Sequence, residues 1–272
     1  MSFPWGNETA LAVRAVVEGG RIALERPPMP AVRNKGSLRD VVTSTDLSVD
    51  DRVRGFLSTS PYRILSEESH EESNCPLSEK SPVWIVDPID GTVNYFNGLD
   101  YYAVSVGLCC DGNFLLGAVC MPGISELFCT FGKDHSLFNG RTLVHVHRAP
   151  QASLVAGSFS GMANDPRQRQ REYQLFGTIN DTTRGCLRLG SAASNICLTA
   201  SNRLQAAYGL RAKIWDVAAS LAVAVGAGCR AIVAWSDNGL SIDYIVGSRD
   251  TVTMIHGVCV TYGLMEEKCR SW

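Results

Sequence analysis

Residues 84–95 read WIVDPIDGTVNY. An apolar run, Trp84-Ile85-Val86, ends in two carboxylates, Asp87 and Asp90, with Gly91 and Thr92 directly behind them. Charged groups at the edge of a core are costly unless something binds them. Asp87 is expected at the end of a strand, where open sheets place ligands. Pro88 has no N–H to donate and is expected to stop that strand. If GTVNYF opens a helix, Asp90 is its N-cap and the N–H groups of Gly91 and Thr92 form an anion site. Two carboxylates this close stay ionised together only with a cation between them. Oxygen-only ligands favour magnesium or another hard cation over zinc. An N-cap Asp beside an exposed turn Asp would explain the same stretch with no ligand at all.

Strand-like runs continue from this stretch. VWIV at 83, YAVSVGLCC at 102, FLLGAVCM at 114, ELFCTF at 126, and LF and TLVHV around Asn139-Gly140 are separated by short turns. This spacing predicts a largely antiparallel meander. Upstream, 7–25 reads as an amphipathic helix with a weak point at Gly19-Gly20, and 27–40 as a loop. Thr45-Asp46 precedes a second helix, LSVDDRVRGFLST; YRIL at 62–65 is a short strand, and 70–82 is a polar loop. Past residue 150 strands and helices alternate. SLVAGSF at 153, LQAAY at 204, CRAIVAW and SIDYIVGS are strands; 166–179, 191–201, Trp215–Val225 and 249–265 are helices. Two coupled subdomains, 1–150 and 151–272, follow from that change of texture.

The chain has 272 residues, 45% of them hydrophobic, enough for a sizeable core. A net charge of −2 with dispersed Lys and Arg argues against a nucleic-acid partner. No apolar segment is long enough for a membrane span. Ten cysteines, no CxxC and no secretory signal point to reduced core thiols in a cytoplasmic protein. His145 and His147 alternate along a strand and, without a third ligand, read as a polar face. GSFSG at 157–161 has Phe159 where a nucleophilic serine would stand.

Acids recur at element edges: Asp46, Glu67-Glu68, Asp87, Asp90 and Asp216. Five blocks appear in order: TSTD ending at Asp46, SEES at 66–69, WIVDPIDGTVN at 84–94, LRLGSAASN at 187–195 and WDVAA at 215–219. Together they resemble the inositol monophosphatase family of magnesium-dependent, lithium-sensitive phosphatases, over nearly the whole chain. The resemblance implies an α+β fold, a layered α-β-α-β-α sandwich of the inositol monophosphatase and fructose-1,6-bisphosphatase type. It implies hydrolysis of a cyclitol or sugar phosphate monoester by in-line attack of metal-activated water. Two or three Mg2+ are implied, with Mn2+ a substitute, in a homodimer. Glu67, Asp87 and the Ile89 carbonyl would bind one metal; Asp87, Asp90 and Asp216 another; Asp46 lies near a weaker third site. Glu67, Thr92 and Asp46 would be catalytic, Gly91 and Thr92 would hold phosphate, and Asp90, Gly190, Ser191 and Ala192 would face substrate.

Two departures bear on substrate. Family members that prefer inositol phosphate usually carry a Glu seven residues before the WD aspartate; here that residue is Gly209, with Arg211 and Lys213 nearby. That basic pair could favour a second anionic group on the substrate, or both could be solvated cations. Gly226-Ala227-Gly228-Cys229 replaces an acid-bearing turn. A phosphatase of 3′-phosphoadenosine 5′-phosphate, of another nucleotide or of histidinol phosphate remains an alternative. So does a catalytically silent binding subunit, although the full set Glu67, Asp87, Asp90, Thr92 and Asp216 favours an enzyme.

Overall fold

The computed structural model describes residues 5–27, 32–37, 40–69, 80–132, 134–159, 165–236 and 239–272. Most of the polar stretch expected as a loop at 70–82 falls outside them. Helix α1 (Gly6–Leu24) and α2 (Ser44–Leu57) flank a hairpin of β1 (Val32–Ser37) and β2 (Asp40–Thr43). That hairpin lies where a loop was expected, because VRNKGS carries no alternating apolar signal. α1 runs unbroken through Gly19 and Gly20. Both glycines are buried, and a Cβ on Gly19 would sit 3.0 Å from Val49 and Val53 of α2. The pair therefore permits close helix packing and does not break the helix.

The first sheet has the order β3-β4-β5-β6-β7-β8-β9. It comprises β3 (Arg63–Ser66), β4 (Val83–Asp90), β5 (Ala103–Cys110), β6 (Asn113–Met121), β7 (Glu126–Thr130), β8 (Ser136–Phe138) and β9 (Arg141–Thr142). Between β4 and β5 lies α3 (Thr92–Phe96). β3 and β4 are parallel; the rest form the antiparallel meander the sequence predicts. TLVHV does not extend it: regular pairing ends at Thr142, and His145 instead places its ring nitrogens 3.0 Å from the Thr199 carbonyl oxygen and 3.1 Å from the Ser248 hydroxyl.

The second sheet has the order β11-β10-β12-β14-β13-β15. Its strands are β10 (Val155–Ser158), β11 (Cys186–Leu187), β12 (Ala206–Lys213), β13 (Arg230–Trp235), β14 (Ser241–Gly247) and β15 (Arg270–Ser271). The helices are α4 (Pro166–Thr182), α5 (Ala192–Ala200), α6 (Ile214–Gly226) and α7 (Arg249–Thr261). The two-residue strands β11 and β15 are too short to leave a sequence pattern.

Three apolar cores separate five layers. α1 and α2 cover one face of the first sheet, α5 and α6 fill the space between the sheets, and α4 and α7 cover the outer face of the second. This is the α-β-α-β-α sandwich. α6 approaches the first sheet at two glycines: a Cβ on Gly117 would lie 2.0 Å from the Ala219 carbonyl oxygen, and one on Gly107 2.9 Å from the Ala219 nitrogen. A methyl group cannot enter without moving α6, which carries Asp216. Gly117→Ala is therefore expected to cost about 3 kcal/mol of stability by denaturant unfolding, the upper range for overpacking. A change within about 0.5 kcal/mol would contradict this packing.

Candidate metal and phosphate site

β4 is buried along its whole length and delivers both central acids. Pro88 does not end the strand. Pairing with β5 continues to Asp90↔Ala103 through an irregularity between Asp87 and Asp90. A bulge of this kind accommodates a residue that cannot donate to the ladder. β3 lies parallel to β4, and the Glu67 N–H donates to the Val86 carbonyl at 3.1 Å, which brings Glu67 level with Asp87.

Asp90 does not cap α3; Gly91 does, in the left-handed region at φ 96°. The Asp90 carboxylate instead crosses to the second half of the chain. It accepts the Ala193 N–H at 2.7 Å, the Ala192 N–H at 3.3 Å and the Ser191 hydroxyl, so it caps the start of α5. A Cβ on Gly91 would fall 3.1 Å from Ser191 Cβ, so this crossing depends on the glycine. Asn94 strengthens it, donating to the carbonyls of Tyr101 and Leu189 at 2.8 Å each. Gly190, at φ 88°, leaves room for the Asn94 amide, which would lie 2.9 Å from any Cβ there. In the sequence, Val93-Asn94-Tyr95 points to the inositol or sugar-phosphate branch, but the bridge that Asn94 makes to Tyr101 and Leu189 is not anticipated there.

Asp216 enters from the first turn of α6, where its carboxylate accepts the Lys213 N–H at 3.1 Å. One carboxylate oxygen each from Asp87, Asp90 and Asp216 lies within 4.8 Å of the others. Asp87 and Asp90 are buried and Asp216 is partly exposed. Burial raises the Asp87 carboxyl well above its ordinary range, and the charges of Glu67, Asp90, Asp216 and Asp46 push it the same way. Burial, then Asp90 and Glu67, raise Asp216. Asp90 is pushed up to about 6 by burial, against its hydrogen bonds from α5.

Asp46 lies inside the first turn of α2, one turn earlier than the sequence placed that helix, and is held by Thr43. It accepts the Thr43 N–H at 2.9 Å as well as the Thr43 hydroxyl. Burial raises it to about 6. The Thr92 hydroxyl lies 2.9 Å from the Ile89 carbonyl oxygen and 3.2 Å from Asp46, which links the two halves of the acidic pocket. Of the expected substrate cations, Arg211 pairs with the buried Glu172 of α4, and the Lys213 ammonium sits 5.8 Å from the centre of the Trp215 ring.

The donor set suits a hard divalent cation. It is all oxygen, it concentrates negative charge in a buried pocket, and Asp87 Oδ1 is buried without a hydrogen-bond partner. An orphaned buried carboxylate oxygen is expensive, and a cation is the partner it lacks.

The sequence profile of the inositol monophosphatase family matches residues 7–260. The chain belongs to that family. An inositol-1-monophosphatase of Mycobacterium bovis is 30% identical over 211 residues, covering 75% of this chain and 72% of the relative. Inositol monophosphatase 3 of Solanum lycopersicum is 30% identical over 226 residues, covering 80% and 82%. The crystal structure of the extragenic suppressor protein suhB from Bartonella henselae superposes with a TM-score of 0.80 at 23% identity, over 93% of this chain and 98% of that one. The last likeness establishes the fold. Among the described residues of this family member, no helix is long and apolar enough to cross a membrane.

The raised acids fix the sign of a pH effect. Asp46 and Asp90 bind protons more tightly folded than unfolded, so the stability they contribute is present below the ordinary carboxyl range and is lost as pH rises through about 6. In metal-free protein, the melting temperature is expected to rise as pH falls from about 7 to about 5, and magnesium added at the higher pH should restore the loss. A melting temperature that falls over that window and ignores the ion would contradict this electrostatic picture.

Proposed function

We propose that this family member is a magnesium-dependent phosphate monoester hydrolase whose substrate is the phosphate of a polyhydroxylated alcohol, a cyclitol or a sugar. The observation that carries the proposal is the meeting of Asp87 and Asp90 from one sheet with Asp216 from the helix between the sheets. Glu67, Asp87 and the Ile89 carbonyl would hold one ion, and Asp87, Asp90 and Asp216 a second. Asp46 would border a weaker third position. When bound, such ions supply Lewis-acid stabilisation of phosphoryl and leaving-group charge and make hydroxide available near neutral pH.

The chain's own residues supply orientation and proton handling. Thr92 Oγ can accept a hydrogen bond from the attacking water while its own proton points to Asp46, 3.2 Å away. With its pKa raised to about 6, Asp46 can take up that proton near neutral pH, and Glu67 is the second acceptor in the pocket. Gly91 and Thr92, at the turn into α3, offer backbone N–H groups to phosphate oxygens. Gly190, Ser191 and Ala192 line the alcohol side where α5 begins. Lys213, exposed before α6, remains available to a second anionic group; the Arg211 guanidinium is held by Glu172. No covalent enzyme intermediate is required, and the products are the free alcohol and inorganic phosphate.

Phosphate release should be measured on a panel of cyclitol, sugar and nucleotide monophosphates with magnesium, with and without lithium. Wild type should hydrolyse at least one member. Asp90→Asn should lower turnover about a hundredfold or more, the scale of losing one preorganised electrostatic contact, while the circular dichroism spectrum is kept. Near-wild-type turnover in that variant, or no turnover by wild type on any member, would refute the proposal.

A further inference from the structure

Among the described residues, four buried side-chain polar atoms have no hydrogen-bond partner. Two of them, Asp87 Oδ1 and Ser105 Oγ, belong to residues that stand directly opposite each other on β4 and β5. Each such atom weakens a fold unless it serves a purpose, so two on facing residues call for an explanation. Opposed residues of an antiparallel pair project to the same face of the sheet. Ile85 and Ala103 belong to the core between the sheets, whereas Val86 and Val104 belong to the core under α1 and α2. The two-residue period therefore turns Asp87 and Ser105 toward α5 and α6. Gly107, on the same face two residues along β5, is where α6 meets the sheet at Ala219, one turn after Asp216.

Ser105 is 1% exposed, so substrate does not reach it and its hydroxyl can serve only a neighbour. Facing Cβ atoms of such a pair lie about 4.5–5.5 Å apart. A hydroxyl and a carboxylate can span that separation with one hydrogen bond when the serine takes the staggered χ1 that aims at Oδ1. A carboxylate oxygen has two lone pairs, one for an ion and one for a donor. Asp87 and Ser105 also form the last regular pair before the irregularity at Pro88. Strand pairing thus fixes Ser105 beside Asp87, while the chain beyond turns Asp90 toward α5.

We propose that Ser105 is a positioning residue for the ion site: its hydroxyl donates to Asp87 Oδ1 when that carboxylate holds a divalent cation, and so fixes the direction in which Asp87 presents its oxygens. The inference rests on the ion-binding part of the phosphatase reading and adds a neutral residue to the acidic set. Carboxylates that ligate metals are themselves oriented by hydrogen bonds of this kind. Ser105 supplies orientation and makes no bond to the ion.

The test is calorimetric titration of magnesium into metal-free wild type, Ser105→Ala and Ser105→Cys, beside thermal melts of the same samples. The alanine removes one buried hydroxyl and leaves the packing under α6 nearly unchanged. Because that hydroxyl has no partner within the fold, the metal-free melting temperature of Ser105→Ala should stay within about 2 °C of wild type or rise. Its magnesium affinity should nevertheless fall about tenfold or more, the range for losing an orienting hydrogen bond to a ligand. Ser105→Cys, of similar size but only a weak donor, should lose affinity in the same direction and replaces the alanine variant if that one does not fold. A purely structural serine gives the opposite pattern. Affinity within about twofold of wild type, a metal-free melting temperature lowered by about 5 °C or more, or failure of both variants to fold overturns the role of Ser105 alone. No uptake of magnesium by wild type overturns the ion-binding reading and this inference with it.

Discussion

Mutual repulsion among buried carboxylates is the constraint around which this protein is organised. Asp87, Asp90 and Asp216 bring like charges into one pocket, and Glu67 and Asp46 add to the same field. Left alone, such a cluster opposes folding, because each charge loses water and gains a like neighbour. Apolar packing elsewhere must hold it together, and only a cation can relieve it at neutral pH without protonating the acids. A site that stores this repulsion is prepared for an ion before the ion arrives.

The rest of the fold shows how the repulsion is contained. Three cores lock five layers, and α6 is pressed so closely to β5 and β6 that Gly107 and Gly117 admit no side chain. Asp216 therefore cannot retreat from Asp87. Asp90 is held by the first turn of α5, whose N-terminal N–H groups and partial positive charge offset part of its cost. Asn94, Gly91 and Gly190 tie the two halves of the chain at the same place. Binding geometry and structural cohesion thus use the same residues.

Much of this was legible in the sequence, for identifiable reasons. The meander showed itself through period-two runs with short turns, and the helices through apolar stripes with acids or Pro at their starts. DPIDGT and WD drew attention to the acids because charge beside an apolar run is unusual. What stayed hidden depended on contacts between distant segments. Nothing local indicates that Asp90 caps α5 and not α3, since either helix start could use it. Gly19-Gly20 looked like a helix break because local propensity cannot register Val49 and Val53 pressing from α2. Pro88 looked like a strand end because a bulge is invisible before its partner strand is known. Arg211 and Lys213 looked like a pair; their directions separated only once Glu172 and Trp215 were in place.

The most direct test of the carboxylate cluster is calorimetric titration of magnesium into metal-free protein at about pH 6, run in two buffers of different ionisation enthalpy. Because the acids are raised by burial, ion binding should expel protons, so the apparent heat should differ between the buffers, and Asp216→Asn should weaken binding. Saturable binding with no proton release, or no uptake of the ion at all, would contradict the claim that these carboxylates are assembled to hold a cation.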